Sequence, residues 1–102
     1  MNTVYSKNNV LLRLTEERWF HIIENHDDLA GKISEVLETV AEPDIIAQGI
    51  KGEYLAVKKS DKKWLVVVYK EIDNKDGFII TAFITSRIHY LLKKEIVWKK
   101  QS

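Results

Sequence analysis

Residues 63–87 read KWLVVVYKEIDNKDGFIITAFITSR, and the fold turns on whether this stretch is a β-hairpin. Two runs rich in Val, Ile, Phe, Tyr and Trp flank the polar segment Asp73-Asn74-Lys75-Asp76-Gly77. Its closing Asp-Gly is a strong local turn signal, so the stretch is expected to form the spine of a sheet. Side chains alternate across a strand, which puts Phe78, Ile80, Ala82 and Ile84 on one face and Ile79, Thr81, Phe83 and Thr85 on the other. Only the first set is wholly apolar. It is expected to lie under helices, while the second face, leading to Arg87, stays partly open and holds any chemistry.

Outward from the hairpin, Met1 to Lys7 is polar and expected to fray. Val10 to Leu14 can form a short strand, and Thr15 is a good helix N-cap with Glu16 and Glu17 in the first turn, where the helix dipole favours negative charge. That helix, reaching about Glu24, has Trp19, Ile22 and Ile23 as its core stripe. Asn25-His26 reads as a break, and Asp27 as the cap of a second helix running to about Ala41 through Leu29, Ile33, Val36, Leu37 and Val40. Pro43 stops it. Residues 43–49 are extended, Gly49 and Gly52 bracket a turn, Glu53 to Lys59 alternates, and Ser60-Asp61-Lys62 leads into the hairpin. Beyond Arg87, residues Ile88, Tyr90, Leu91, Leu92 and Ile96 fit a short helix or irregular turn better than a strand, and Trp98 is expected to pin the C-terminus. Helices first and a meander of strands afterwards define an α+β domain with an antiparallel sheet covered on one face. It is a single domain over residues 1–102, with an ordered core of about 10–98.

Composition agrees with one soluble globular domain: 102 residues, 45% hydrophobic and 30% charged. There is no cysteine, which excludes a disulfide framework and a thiolate zinc site. No secretory h-region and no apolar run near the ~20 residues of a membrane span are present, so a cytoplasmic protein without a membrane partner is expected. The net charge of +1 conceals an asymmetry. Residues 1–50 hold four Lys/Arg against nine Asp/Glu, and residues 51–102 hold twelve against six. The basic half suits a polyanion such as RNA; solvated strand edges guarded by lysine give the same pattern.

No glycine-rich phosphate loop and no G-x-S-x-G elbow occurs. His21, His26 and His89 lack metal-ligand spacing, so neither a metal nor another cofactor is expected. What remains is a set of polar groups suited to metal-independent phosphodiester cleavage: His21, His26, Lys58, Tyr69, Thr81, Thr85 and Arg87. The reaction needs a base and an acid near neutrality, which histidine supplies, and a cation for the phosphorane charge, which arginine supplies. The same residues have plainer uses. His21 can be a helix-surface residue, His26 a cap or turn residue, Thr81 and Thr85 β-formers, and Arg87 a solvated strand end.

The series Arg18-Trp19-Phe20-His21-Ile22, then His26, then Ile33 to Val40 leading into Pro43-Asp44, then Trp64 to Lys70, and Asp76-Gly77-Phe78-Ile79-Ile80-Thr81-Ala82-Phe83 resembles the phage-associated barnase–EndoU–colicin–RelE-like nuclease families. The resemblance covers roughly residues 10–98, and its most specific parts are the HI-x-x-x-H spacing and the GF-I-I-TAF strand. It implies N-terminal helices on one face of a curved, mostly antiparallel sheet, and an endoribonuclease-like, toxin-like activity with no cofactor. It further implies His21 and His26 as acid/base candidates and Lys58, with Lys59 equally placed, as a phosphate ligand. Thr81 would orient the substrate, and Thr85 with Arg87 would form an anion site, Tyr69 standing among the substrate-binding candidates. Partners expected on this reading are RNA and an antitoxin or immunity-like protein. The alternative is a catalytically inactive binding or dimerisation module that keeps the fold, with Tyr54 and Phe83 exposed for a protein contact and a homodimer as its product.

Overall fold

The computed structural model describes residues 1–101. In chain order these form β1 (Asn2–Tyr5), β2 (Leu11–Leu14), α1 (Glu16–Asn25), a 3-10 turn (Asp27–Leu29), α2 (Ile33–Ala41), β3 (Ile45–Gln48), β4 (Tyr54–Ser60), β5 (Lys63–Glu71), β6 (Asp76–Thr85), α3 (His89–Leu92) and β7 (Glu95–Lys99). All seven strands join one sheet in the order β1-β2-β6-β5-β4-β3-β7. Every pairing is antiparallel except β2 with β6, which is parallel. The architecture is therefore α+β with a mostly antiparallel sheet.

Local chemistry accounts for most element boundaries. The Thr15 hydroxyl accepts from the Arg18 backbone N–H at 3.1 Å, closing the N-terminus of α1, with Glu16 and Glu17 in the first turn. The second helix is shorter than expected. Gly31 takes φ 78°, a left-handed conformation that ends the 3-10 turn, and α2 starts only at Ile33, so Asp27 begins a 3-10 turn rather than capping α2. The polar N-terminus is also ordered, against expectation. Asn9, at φ 65°, turns the chain back so that β1 pairs with β2, and Ser6 Oγ donates to Glu71 Oε2 at 2.6 Å. Beyond Arg87 the chain forms α3 and then a true strand, β7, against β3.

Two apolar clusters lie on opposite sides of the sheet. On the helix side, Ile22, Leu29, Val36 and Val40 pack on Leu12, Leu14, Val67 and Ile79. Full burial of such side chains is worth roughly 1.5–3 kcal/mol each. On the other side, Leu91 of α3, fully buried, closes over Ala47, Leu55, Val57 and Val66. The second face is thus partly roofed by the C-terminal segment, and Thr81, Phe83 and Thr85 on it are half-buried.

The faces of β6 also differ from strict alternation. The β5–β6 register shifts between Val68 and Tyr69: Tyr69 pairs with Ile79 but Val68 with Thr81, leaving Ile80 as an extra residue. A bulge of this kind breaks the two-residue period. Ile79 therefore joins Ala82 and Ile84 on the helix side and Phe78 is exposed, whereas Phe83 packs with Trp64 and Val68 on the far side.

The sheet curls around its helices. Lys7, just after β1 at one end of the strand order, holds its ammonium 5.2 Å from the ring centre of Trp98 on β7 at the other end. It also reaches Glu42, beyond α2, at 3.4 Å. Among the described residues no helix is long and apolar enough to cross a membrane.

Candidate functional site

β2 pairs with β6 only through Phe78, so from Ile79 onward that edge of β6 has no strand beside it. The chain instead passes through α1 and the 3-10 turn, both of which contact β6. His26, between them, donates its backbone N–H to the Ile22 carbonyl at 2.8 Å, makes no side-chain cap bond, and sets its half-buried ring 6.1 Å from the ring of Phe83, tilted by 38°. Beyond the bulge, Thr81, Phe83 and Thr85 share a face, so two half-buried hydroxyls flank the phenyl ring, each roughly 7 Å along the strand. An imidazole from the helical region thus lies beside Phe83, on the strand that carries the two hydroxyls.

Arg87 follows at the end of that strand. Its backbone N–H donates to Thr85 Oγ1 at 3.0 Å, a local turn of the kind threonine favours, and its guanidinium is exposed. The other three candidates lie elsewhere. His21 is exposed on α1, where its carbonyl accepts from Asn25 Nδ2 at 2.9 Å, and it shares a shallow depression with Thr15, Glu17, Arg18, Phe20 and Glu24 of the same segment. Lys58 is on the helix side of β4. Its ammonium donates to the Glu42 carbonyl at 2.8 Å and lies 4.0 Å from Glu38, so it closes the C-terminus of α2 where a cation suits the helix dipole. Lys59, on the opposite face, is the freer of the two lysines and lies over Trp64.

Tyr69 is a core residue, 1% exposed and stacked on Tyr54 at 5.5 Å, which also places Tyr54 on the helix side rather than on an open face. Burial pushes the Tyr69 phenol well above the usual tyrosine range, and the Glu71 carboxylate and Tyr54 push it the same way. The unfolded chain ionises this phenol near pH 10 while the folded chain keeps it neutral, so stability falls as pH rises through that value. Tyr69→Phe is expected to keep most of its stability at pH 7 and to lose less than the wild type between pH 9 and pH 11. Urea melts at both pH values check this.

Strand register adds a feature that residue spacing does not display. Thr85 pairs with Trp64, Trp64 with Lys59, and Lys63 with Ser60. Lys59 N–H donates to the Asp44 carboxylate at 2.8 Å, and Lys100 N–H to the Asp44 carbonyl at 2.9 Å. One end of the sheet therefore gathers Lys58, Lys59, Lys62, Lys63, Arg87, Lys99 and Lys100, all but Lys58 exposed. Asp44 and Asp61 are the carboxylates among them, with Glu38 and Glu42 behind on the helix side. From β6 to β7 the rim spans four strand intervals, roughly 19 Å. Among the described residues Lys58 is the one rim cation in an ion pair.

The class these observations define is a curled α+β domain with a histidine and two threonines at one corner of a basic sheet end. Comparison with family models, with curated proteins and with solved structures returned no match.

Proposed function

We propose that this domain is an RNA-directed, metal-independent endoribonuclease-like module of the barnase–EndoU–colicin–RelE kind, with the strand lying along the basic sheet end and its scissile phosphate at β6. The observation that carries the reading is the seating of His26 against Phe83 between Thr81 and Thr85, at the end of the lysine rim. In this role the His26 imidazole takes the proton of a ribose 2′-hydroxyl. The O2′–P bond forms, the P–O5′ bond breaks, and the leaving oxygen takes a proton from water, whose hydroxide recovers the proton held by His26. Arg87 and the nearer lysines offset the phosphorane charge, a role in which preorganised cations act strongly. His21, exposed on α1, has no part in this step.

Incubation of single-stranded RNA with the purified protein in EDTA tests the proposal, with 2′,3′-cyclic phosphate ends as the expected product. A second reading, an RNA-binding module without catalysis, is favoured by the structural duties of Lys58 and Tyr69. Tight binding of RNA that stays intact would select it, and absence of both binding and cleavage would overturn both readings.

The rim makes its own prediction. If about four phosphates are neutralised, raising salt from 50 to 200 mM should weaken single-strand binding by about 50-fold, because each contact contributes about 0.7 to the logarithmic salt slope. Lys62→Glu with Lys63→Glu, at exposed positions in the β4–β5 turn and at the first residue of β5, should weaken binding at least about tenfold and flatten that slope without shifting the thermal midpoint. Fluorescence anisotropy with a labelled oligonucleotide measures both.

A further inference from the structure

Trp64 sits where the rim meets the candidate site. It pairs across strands with Thr85 and lies on the far side of the sheet with Phe83, the ring that His26 contacts. The indole is half-buried, packed against the cluster closed by Leu91. The Lys59 ammonium lies over it, 4.8 Å from the ring centre. A lysine stem is easily displaced, and its charge can move to a phosphate at little cost in reach.

We propose that Trp64 is a stacking platform for an unpaired nucleobase, with Lys59 as a cover that swings from the ring to the adjacent phosphate when the base arrives. Resting on the reading above, this deepens it by naming the substrate as single-stranded. A base held in a duplex already has both faces stacked and cannot take the place of Lys59, whereas an extended strand offers a free face beside each phosphate. Base–aromatic stacking is tolerant of base identity, so the platform selects strandedness rather than sequence. The candidate scissile position then lies next to the stacked nucleotide, since Thr85 is the direct cross-strand neighbour of Trp64.

The test uses the whole chain labelled with 5-fluorotryptophan, which gives one ¹⁹F resonance for each of Trp19, Trp64 and Trp98, assigned through Trp64→Phe. The probe is 2′-O-methyl octauridylate, which has no 2′-hydroxyl and cannot be cleaved. Its comparator is a 2′-O-methyl RNA duplex with the same number of phosphates. The expected result is a saturable shift of the Trp64 resonance with octauridylate and none with the duplex. Trp64→Leu should cost about tenfold or more in octauridylate affinity, the low end of what one stacked base contributes, and leave duplex affinity unchanged. If Trp64→Leu fails to fold, the ¹⁹F titration of the wild-type chain still decides. Octauridylate binding with an unmoved Trp64 resonance, or equal affinity for the duplex, would overturn this inference and leave the rim reading standing. No binding of either probe would overturn both.

Discussion

Replacing His26 with alanine is expected to reduce RNA cleavage at least about 100-fold, the lower range of what a positioned general base contributes, while leaving RNA affinity within about threefold of wild type. The split follows from placement. The cations of the rim sit on β4, β5, β7 and beyond β6, and they hold phosphates whether or not an imidazole is present. The ring of His26, by contrast, lies beside Phe83 on the hydroxyl-bearing face of β6. His26→Gln keeps a polar planar group of similar size but cannot shuttle a proton, so it should be as inactive as the alanine variant. His21→Ala should retain cleavage within about threefold, because its side chain points to solvent from α1. Single-turnover cleavage rates with saturating protein measure all three variants. Loss of activity in His21→Ala together with a fully active His26→Ala would move the reacting centre to the outer surface of α1 and sink the present assignment.

How far residue order alone reaches is visible in particular places. The first helix and the hairpin were legible because local rules govern them: Thr15 caps, Pro43 ends an element, and β-branched runs pair across a polar turn. Strand β1 was not, since Asn-Thr-Val-Tyr carries little apolar signal and is held by pairing with β2 and by the Ser6–Glu71 bond 65 residues away. The bulge at Ile80 was equally silent, because a run of isoleucines does not say which of its members is extra, yet it decides that Ile79 is buried on the helix side and Phe78 is not. For the candidate site the residue types were legible and their grouping was not. His21 and His26 look equivalent at five residues apart, and only the path of the chain along β6 separates them. Lysines 58 and 59 look equivalent too, until alternation sends one to cap α2 and the other over Trp64. The rim cations Lys62, Lys63, Lys99 and Lys100 come from segments far apart in sequence, so their meeting depends on register.

Gly77 supplies the largest expected stability effect and separates two explanations of one residue. In the sequence Asp76-Gly77 reads as a turn that needs glycine for its backbone freedom, but Gly77 lies inside β6, between Glu71 of β5 and Leu12 of β2, and has no positive φ. What requires glycine there is space. A Cβ would sit against the Lys70 carbonyl oxygen and 2.7 Å from Leu12 Cδ2, and the backbone atom cannot swing aside as a side-chain tip could. Gly77→Ala is therefore expected to cost about 3 kcal/mol, the upper range for overpacking, and to act first on the β5–β6 pairing at Lys70 and Glu71, then on the parallel β2–β6 junction beside it. Gly31 is the contrasting control. It has φ 78° with nothing within 4 Å of an added Cβ, so Gly31→Ala should cost only the left-handed strain of about 1–2 kcal/mol. Urea melts of both variants read the difference. A smaller loss for Gly77→Ala than for Gly31→Ala would mean that the strands relax around the added methyl and that space does not demand glycine at position 77.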